Sequence, residues 1–65
     1  MKVIVNGEEQ GVKASFLDDL LVELAFDGEW LATAVNSELV PAAERQSCRL
    51  SEGDRVEILT PRQGG

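Results

Sequence analysis

Residues 15–28 of the 65-residue chain read SFLDDLLVELAFDG and carry its amphipathic helix pattern, against which the other elements must pack. Its apolar residues recur at helical spacing and form one stripe: Phe16, Leu17, Leu20, Leu21 and Leu24. Ser15 and Asp18 are spaced like a capping box, which predicts a helix start at Ser15. Asp27-Gly28 predicts the stop. The helix therefore has one apolar face that a sheet can cover.

Two strand patterns precede the helix. Residues 1–5, MKVIV, are rich in β-branched side chains, and residues 10–14 form a second, weaker pattern centred on Val12. Asn6-Gly7 between them is a strong hairpin signal, although the two glutamates that follow predict a loop longer than two residues. We expect strand, turn and strand.

A second hairpin pattern follows the helix. Residues 30–35 are apolar and compatible with a strand, Asn36-Ser37 supplies a turn, and residues 38–40 return. The polar stretch at residues 41–49 begins with a proline, which removes a ladder donor, and is predicted to be irregular.

The last strand pattern is RVEILT at residues 55–60, which follows a turn. Leu50, before that turn, is predicted to anchor the irregular stretch to the core. Strand alternation places Val56 and Ile58 toward the helix and Leu59 on the opposite, open side of the sheet.

The order of these elements, β-β-α-β-(β)-β, predicts an α+β fold in which a mixed sheet of four to five strands packs on one helix. The length allows one domain. We expect this domain to span residues 1–60 and a flexible C-terminal tail to span residues 61–65.

The charge balance bears on partners. Twelve acidic and six basic side chains give a net charge of −6, and the basic residues are scattered, which disfavours nucleic acid and favours a basic protein surface. The N-terminus lacks the apolar core of a signal peptide, and residues 16–26 are too short for a membrane span. The single cysteine can form no internal disulfide, and we expect a cytoplasmic protein. We also expect a monomer.

Few side chains offer chemistry of their own. The chain has no histidine and no CxxC, so a metal site is improbable, and its glycines form no phosphate-binding motif. Asp18, Asp19 and Glu23 are interpreted as a solvated helix face. Cys48 is interpreted as a small buried hydrophobe that function can spare, and Trp30 as a core-edge side chain or, alternatively, an interface anchor.

The Gly64-Gly65 pair after the last strand is the most informative feature for function. Residues without a Cβ atom make a thin arm that can lie in a narrow channel. Residues 61–65 can reach about 17 Å beyond the strand. Such an arm can place a terminal carboxylate in the active site of another protein.

Four segments together carry a resemblance that covers nearly the whole chain. They are MKVIVNGEE at the start, the LxxLL helix, AVNSELVP, and SEGDRVEILTPRQGG. The chain resembles the ThiS family of sulfur carrier proteins of thiamin biosynthesis. That resemblance implies a ubiquitin-like β-grasp fold, which agrees with the order of elements above.

The resemblance also implies a reaction at Gly65. An E1-like adenylyltransferase of the ThiF type, which supplies the ATP and Mg²⁺ site, would adenylate the carboxylate. A persulfide donor would then convert it to a thiocarboxylate, and a thiazole synthase of the ThiG type would consume the sulfur. The chain itself would be a co-substrate, not an enzyme, and would bind no cofactor; Gly64 would supply the slim passage.

Partner contacts are predicted on the open side of the last strand and in the tail: Arg55, Glu57, Leu59, Arg62 and Gln63. Other functions stay open from the sequence. They are a sulfur carrier for molybdopterin or tRNA thiolation, a ubiquitin-like protein modifier, and a binding module with an incidental tail.

Overall fold

A computed structural model of the protein describes residues 1–26 and 30–60. Its five strands are β1 (Lys2–Val5), β2 (Glu8–Gly11), β3 (Ala32–Val35), β4 (Glu38–Val40) and β5 (Arg55–Leu59). They form one mixed sheet in the order β2-β1-β5-β3-β4, in which only the β1–β5 pair is parallel among the described strands. Helix α1 spans Leu17–Glu23. The predicted α+β architecture is confirmed.

The core lies between one face of the sheet and α1. Strands β1 and β5 alternate, so Val3, Val56 and Ile58 point to the helix and are buried. Leu17 and Leu20 of the helical stripe are fully buried against them. The predicted stripe and the predicted direction of β5 are therefore confirmed. No helix within the described residues is both long and apolar enough to cross a membrane.

The first hairpin is tighter than the sequence predicts. β2 spans Glu8–Gly11 and not residues 10–14, because Val5 pairs directly with Glu8 across a two-residue turn. Asn6 and Gly7 have φ angles of 51° and 85°, the two positive values that such a turn requires. The prediction of a longer loop is wrong, since β2 is an exposed edge strand and charged side chains are common on such edges.

Helix α1 begins later than predicted and has no capping box. Its N-cap is Phe16, which makes no side-chain cap hydrogen bond. The start is fixed by a neighbouring segment instead: the Leu17 amide donates to the Cys48 carbonyl at 2.9 Å, and the Leu50 amide donates to the Ser15 carbonyl at 2.8 Å. Tertiary pairing therefore replaces the local cap.

The helix also ends earlier than predicted. Ala25 has a φ of 63°, and the Ala25 and Phe26 amides donate back to the Val22 and Leu21 carbonyls. This is the hydrogen-bond pattern of a Schellman motif, formed here without glycine. The predicted stop at Asp27-Gly28 lies outside the described residues.

The second half of the chain follows the prediction with two corrections. The turn at Asn36-Ser37 and the burial of Leu50 are confirmed. The stretch predicted as irregular contains a 3-10 helix, Ala42–Ser47, which packs beside α1. Trp30 is 77% exposed, so its interpretation as a core-edge side chain is wrong.

Ser37→Gly is expected to stabilise the protein. Ser37 has a φ of 72°, a conformation that costs a residue with a Cβ atom about 1 kcal/mol or more and glycine almost nothing. After the extra backbone entropy of glycine, we expect a gain of about 0.5 to 1 kcal/mol, or a Tm rise of about 2 to 8 °C by differential scanning calorimetry.

Gly7→Ser is the matched control, because Gly7 occupies the equivalent turn position and a Cβ atom there meets nothing within 4 Å. It should lower Tm by a similar amount through backbone conformation alone. A Ser37→Gly variant no more stable than the parent would contradict this account of the turn.

Candidate functional site

The open face of the sheet carries the described part of the predicted site. Along β5, Arg55, Glu57 and Leu59 are exposed and alternate with buried residues. Leu59, at the end of the strand, is 66% exposed. The predicted placement of these three side chains is confirmed; their role in partner contacts stays a prediction.

A second exposed leucine, which sequence reasoning missed, lies on the same face. Strand register pairs Ala32 with Leu59 and Ala34 with Leu39, and Leu39 is 73% exposed. The two leucines flank a shallow hollow of about 70 Å³ floored by the two alanines. We call Ala32, Ala34, Leu39 and Leu59 the leucine patch. The alternation of β4 was the available signal, because Val40 faces inward and its neighbour must face outward.

Asn6 lies where β5 ends. Its side-chain Nδ2 donates to the Ile58 carbonyl at 3.1 Å, and the Ile58 amide donates to its Oδ1 at 2.8 Å. The end of the strand beside the leucine patch is therefore tied to the first hairpin. The remaining predicted site residues follow in the sequence but lie outside the described residues: Arg62, Gln63, Gly64 and Gly65.

A buried arginine joins the 3-10 helix to the strands beneath the patch. Arg45 is 5% exposed; its Nε donates to Thr33 Oγ1 at 3.1 Å and its Nη2 to the Leu31 carbonyl at 2.6 Å. Thr33 Oγ1 in turn donates to the Val40 carbonyl at 2.7 Å. This chain of hydrogen bonds fixes β3, β4 and the 3-10 helix relative to one another. Sequence reasoning missed it, because a charged residue is rarely buried.

Cys48 is poorly suited to nucleophilic chemistry. It is partly buried and packs against the core, as expected of a small hydrophobe. Burial, followed by the nearby Asp54 and Glu44 carboxylates, raises the pKa of its thiol above the ordinary value of 9.0. The reactive thiolate is therefore scarce at neutral pH.

Of the three helix acids, Asp18, Asp19 and Glu23, only Glu23 makes a tertiary hydrogen bond among the described residues. Asp18 and Asp19 are exposed, as predicted. The Glu23 carboxylate accepts hydrogen bonds from the Lys13 and Ala14 amides at 2.9 to 3.0 Å, which ties the end of α1 to the segment after β2. Within residues 1–26 and 30–60, no group of His, Cys, Asp and Glu is arranged to hold a metal ion.

Known proteins are similar to this chain in sequence and in architecture. A sequence profile of the ThiS family matches residues 3–65. The crystal structure of the thiamine biosynthesis protein ThiS from Geobacter metallireducens superposes with a TM-score of 0.85, at 26% identity and complete coverage of both chains. An NMR structure of a thiamine biosynthesis protein from the same organism superposes with a TM-score of 0.81, at 26% identity, over all of this chain and 88% of that one.

A curated relative is longer. A thiazole synthase of Paramagnetospirillum magneticum is 36% identical over 66 residues, which cover all of this chain and 20% of that protein. The chain thus spans about a fifth of the length of this relative.

A five-stranded mixed sheet on one helix, matched by solved structures over its whole length, defines a ubiquitin-like β-grasp protein. The chain belongs to the ThiS family.

Proposed function

We propose that this protein carries sulfur for the thiazole of thiamin as a thiocarboxylate on Gly65. The observation that carries this proposal is the family match, which extends through the Gly64-Gly65 pair. The leucine patch at the end of β5 offers a partner enzyme an exposed apolar surface, close in sequence to the Gly64-Gly65 pair. We further propose that the protein works in the cytoplasm.

The chemistry begins at a carboxylate, which is ionised at pH 7 and is a poor electrophile until it is activated. One carboxylate oxygen attacks the α-phosphate of ATP, pyrophosphate leaves, and an acyl-adenylate forms. The terminal sulfur of a persulfide then attacks the acyl carbon and displaces AMP. A thiol cleaves the resulting acyl disulfide, is itself oxidised to a disulfide, and leaves the thiocarboxylate.

Two partner enzymes follow from this scheme. An E1-like adenylyltransferase of the ThiF type supplies the ATP and Mg²⁺ site. A thiazole synthase of the ThiG type accepts the sulfur. The relative named thiazole synthase supports this partner, because about a fifth of that protein is similar to this chain. The carrier is regenerated with an ordinary carboxylate and acts as a recycled co-substrate.

Intact-mass spectrometry tests the proposal. The natural protein must first be shown to have a free α-carboxyl group on Gly65. After incubation with the adenylyltransferase, ATP, Mg²⁺, a persulfide donor and a thiol, we expect one oxygen to be replaced by one sulfur, located in the C-terminal peptide. Sulfur at an internal residue, or transfer to tRNA or molybdopterin precursors but not to the thiazole, would refute the function.

Leu59→Ser is expected to weaken binding to the adenylyltransferase about tenfold or more, because an exposed leucine beside the reactive segment is placed as an interface anchor. Its Tm should change little, since the side chain is already 66% exposed. Isothermal titration calorimetry measures the affinity and differential scanning calorimetry the Tm.

Val22→Ser is the matched control, since Val22 is 76% exposed on α1, away from the open face of the sheet. It should leave the affinity unchanged. Unchanged affinity together with a large loss of stability in Leu59→Ser would show that Leu59 serves the fold and not the interface.

A further inference from the structure

The Asn6 side chain forms hydrogen bonds to β5 at a position where β1 no longer provides a strand partner. The parallel register pairs Val5 with Val56, and β1 then leaves the sheet at the Asn6-Gly7 turn. Ile58 therefore lies beyond the last paired residue of β1. The Asn6 carboxamide accepts from the Ile58 amide and donates to the Ile58 carbonyl, as a backbone peptide group would.

A second asparagine performs the same task at the other end of β5. Asn36 has the same φ of 51° in an equivalent two-residue turn. Its Oδ1 accepts from the Arg55 amide at 3.0 Å and its Nδ2 donates to Asp54 Oδ1 at 2.9 Å. The two turns thus hold opposite ends of one strand with the same kind of side chain.

The two clamps differ in what lies next to them. Asn36 holds the entry to β5, whereas Asn6 holds Ile58, next to Leu59 of the leucine patch. Residues 61–65 follow Thr60 in the sequence, so an enzyme that docks on the leucine patch receives them from the end of β5. The Asn6 hydrogen bonds hold Ile58 on the edge that β1 has left, while β3 pairs with Ile58 and Leu59 on the other edge, so the end of β5 keeps one orientation relative to the leucine patch.

We propose that Asn6 is a positioning residue for sulfur loading: by holding Ile58, it fixes the end of β5, from which the C-terminal segment continues, relative to the leucine patch. This inference rests on the proposed function. Asn6 touches neither ATP nor the reacting carbon in this scheme. It acts through β5, so that a partner enzyme can bind the leucine patch and receive Gly65 in its active site at the same time.

Asn6→Gly and Asn36→Gly form a matched pair that tests the inference. Glycine keeps the positive φ of either turn. Asn6→Gly removes two side-chain hydrogen bonds to Ile58, and Asn36→Gly removes one from the Arg55 amide and one to the Asp54 carboxylate. The rate of thiocarboxylate formation is measured with the adenylyltransferase at a temperature where both variants are fully folded. KM for the carrier and kcat are determined separately.

We expect Asn6→Gly to lower kcat about tenfold while KM changes by about twofold or less, because docking through the patch is kept and alignment is lost. Asn36→Gly should leave both constants within about twofold of the parent. A merely structural role would lower the free energy of unfolding of Asn6→Gly without lowering kcat of the folded protein. Equal kcat values for the two variants would overturn the inference while leaving the sulfur-carrier function intact.

Amide hydrogen exchange followed by NMR supplies a readout that needs no partner enzyme. Asn6→Gly should accelerate exchange of the Ile58 amide about tenfold or more, and Asn36→Gly should do so for the Arg55 amide instead. An Ile58 amide that stays protected in Asn6→Gly would overturn the clamp, even if the parent protein proved unable to accept sulfur.

Discussion

Deletion of Gly65 is expected to abolish both adenylation and sulfur loading while the Tm stays unchanged. In the proposed reaction Gly65 supplies the acyl carbon. Its deletion shortens the chain by one residue, so the new terminal carboxylate does not reach the position where phosphate and then sulfur must approach within about 3 to 3.5 Å. The fold should survive, because the buried apolar residues of the described part lie between Val3 and Ile58. Pyrophosphate release, intact mass and differential scanning calorimetry measure the three quantities.

Gly65→Ala separates chain length from crowding. This variant keeps the length of the chain and the carboxylate but adds a methyl group beside the acyl centre, so it should be adenylated slowly rather than not at all. A deletion variant that gains sulfur as the parent does would show that the reactive group lies elsewhere. A deletion variant that loses its fold would show that the segment belongs to the domain.

Arg45→Met is expected to lower the free energy of unfolding by about 2 to 4 kcal/mol. The change leaves Thr33 Oγ1 and the Leu31 carbonyl without the donors that they have in the parent, and hydrogen bonds from a charged donor are worth about 1.5 to 3 kcal/mol each. A 65-residue domain has a total stability of about 3 to 10 kcal/mol, so this is a large fraction. Urea denaturation measures the difference.

Arg49→Met is the matched control, four positions along the same segment. Arg49 is exposed and lies over the Phe16 ring at 5.2 Å from the centroid, so its removal should cost about 1 kcal/mol or less. A double-mutant cycle of Arg45→Met with Thr33→Val should show a coupling of about 0.5 to 3 kcal/mol. Equal losses for the two arginines, with no coupling to Thr33, would contradict the role assigned to the buried network.

The sequence predicted those parts of the fold in which local pattern and tertiary environment agree. In β5, Val56 and Ile58 alternate with Arg55 and Glu57, and the structure buries the face that this alternation indicates. The helical stripe is equally clear, since Leu17, Leu20 and Leu21 are buried together. The placement of Leu59 followed from the same alternation.

The parts that were mispredicted depend on distant residues. Nothing local to the EEQG stretch indicates a strand; it is one because β1 offers it an edge. Phe16 begins α1 without a cap because the Cys48 carbonyl receives the next amide. Arg45 is buried because its acceptors come from the β3–β4 region, which no spacing within residues 41–49 reveals.

The position of β5 in the sheet has a consequence for folding kinetics. The last strand in sequence is the middle strand in space, and its parallel partner begins at Lys2, so Ile4 pairs with Arg55. In the sheet, β5 lies between the β1–β2 hairpin and the β3–β4 hairpin and pairs with both. An isolated two-stranded hairpin is only marginally stable in water. Completing the sheet therefore closes a loop that spans most of the chain, which raises the contact order, and we expect folding to be slower than that of a helical bundle of this size. Folding should be all-or-none, with neither hairpin persisting until β5 has inserted between them.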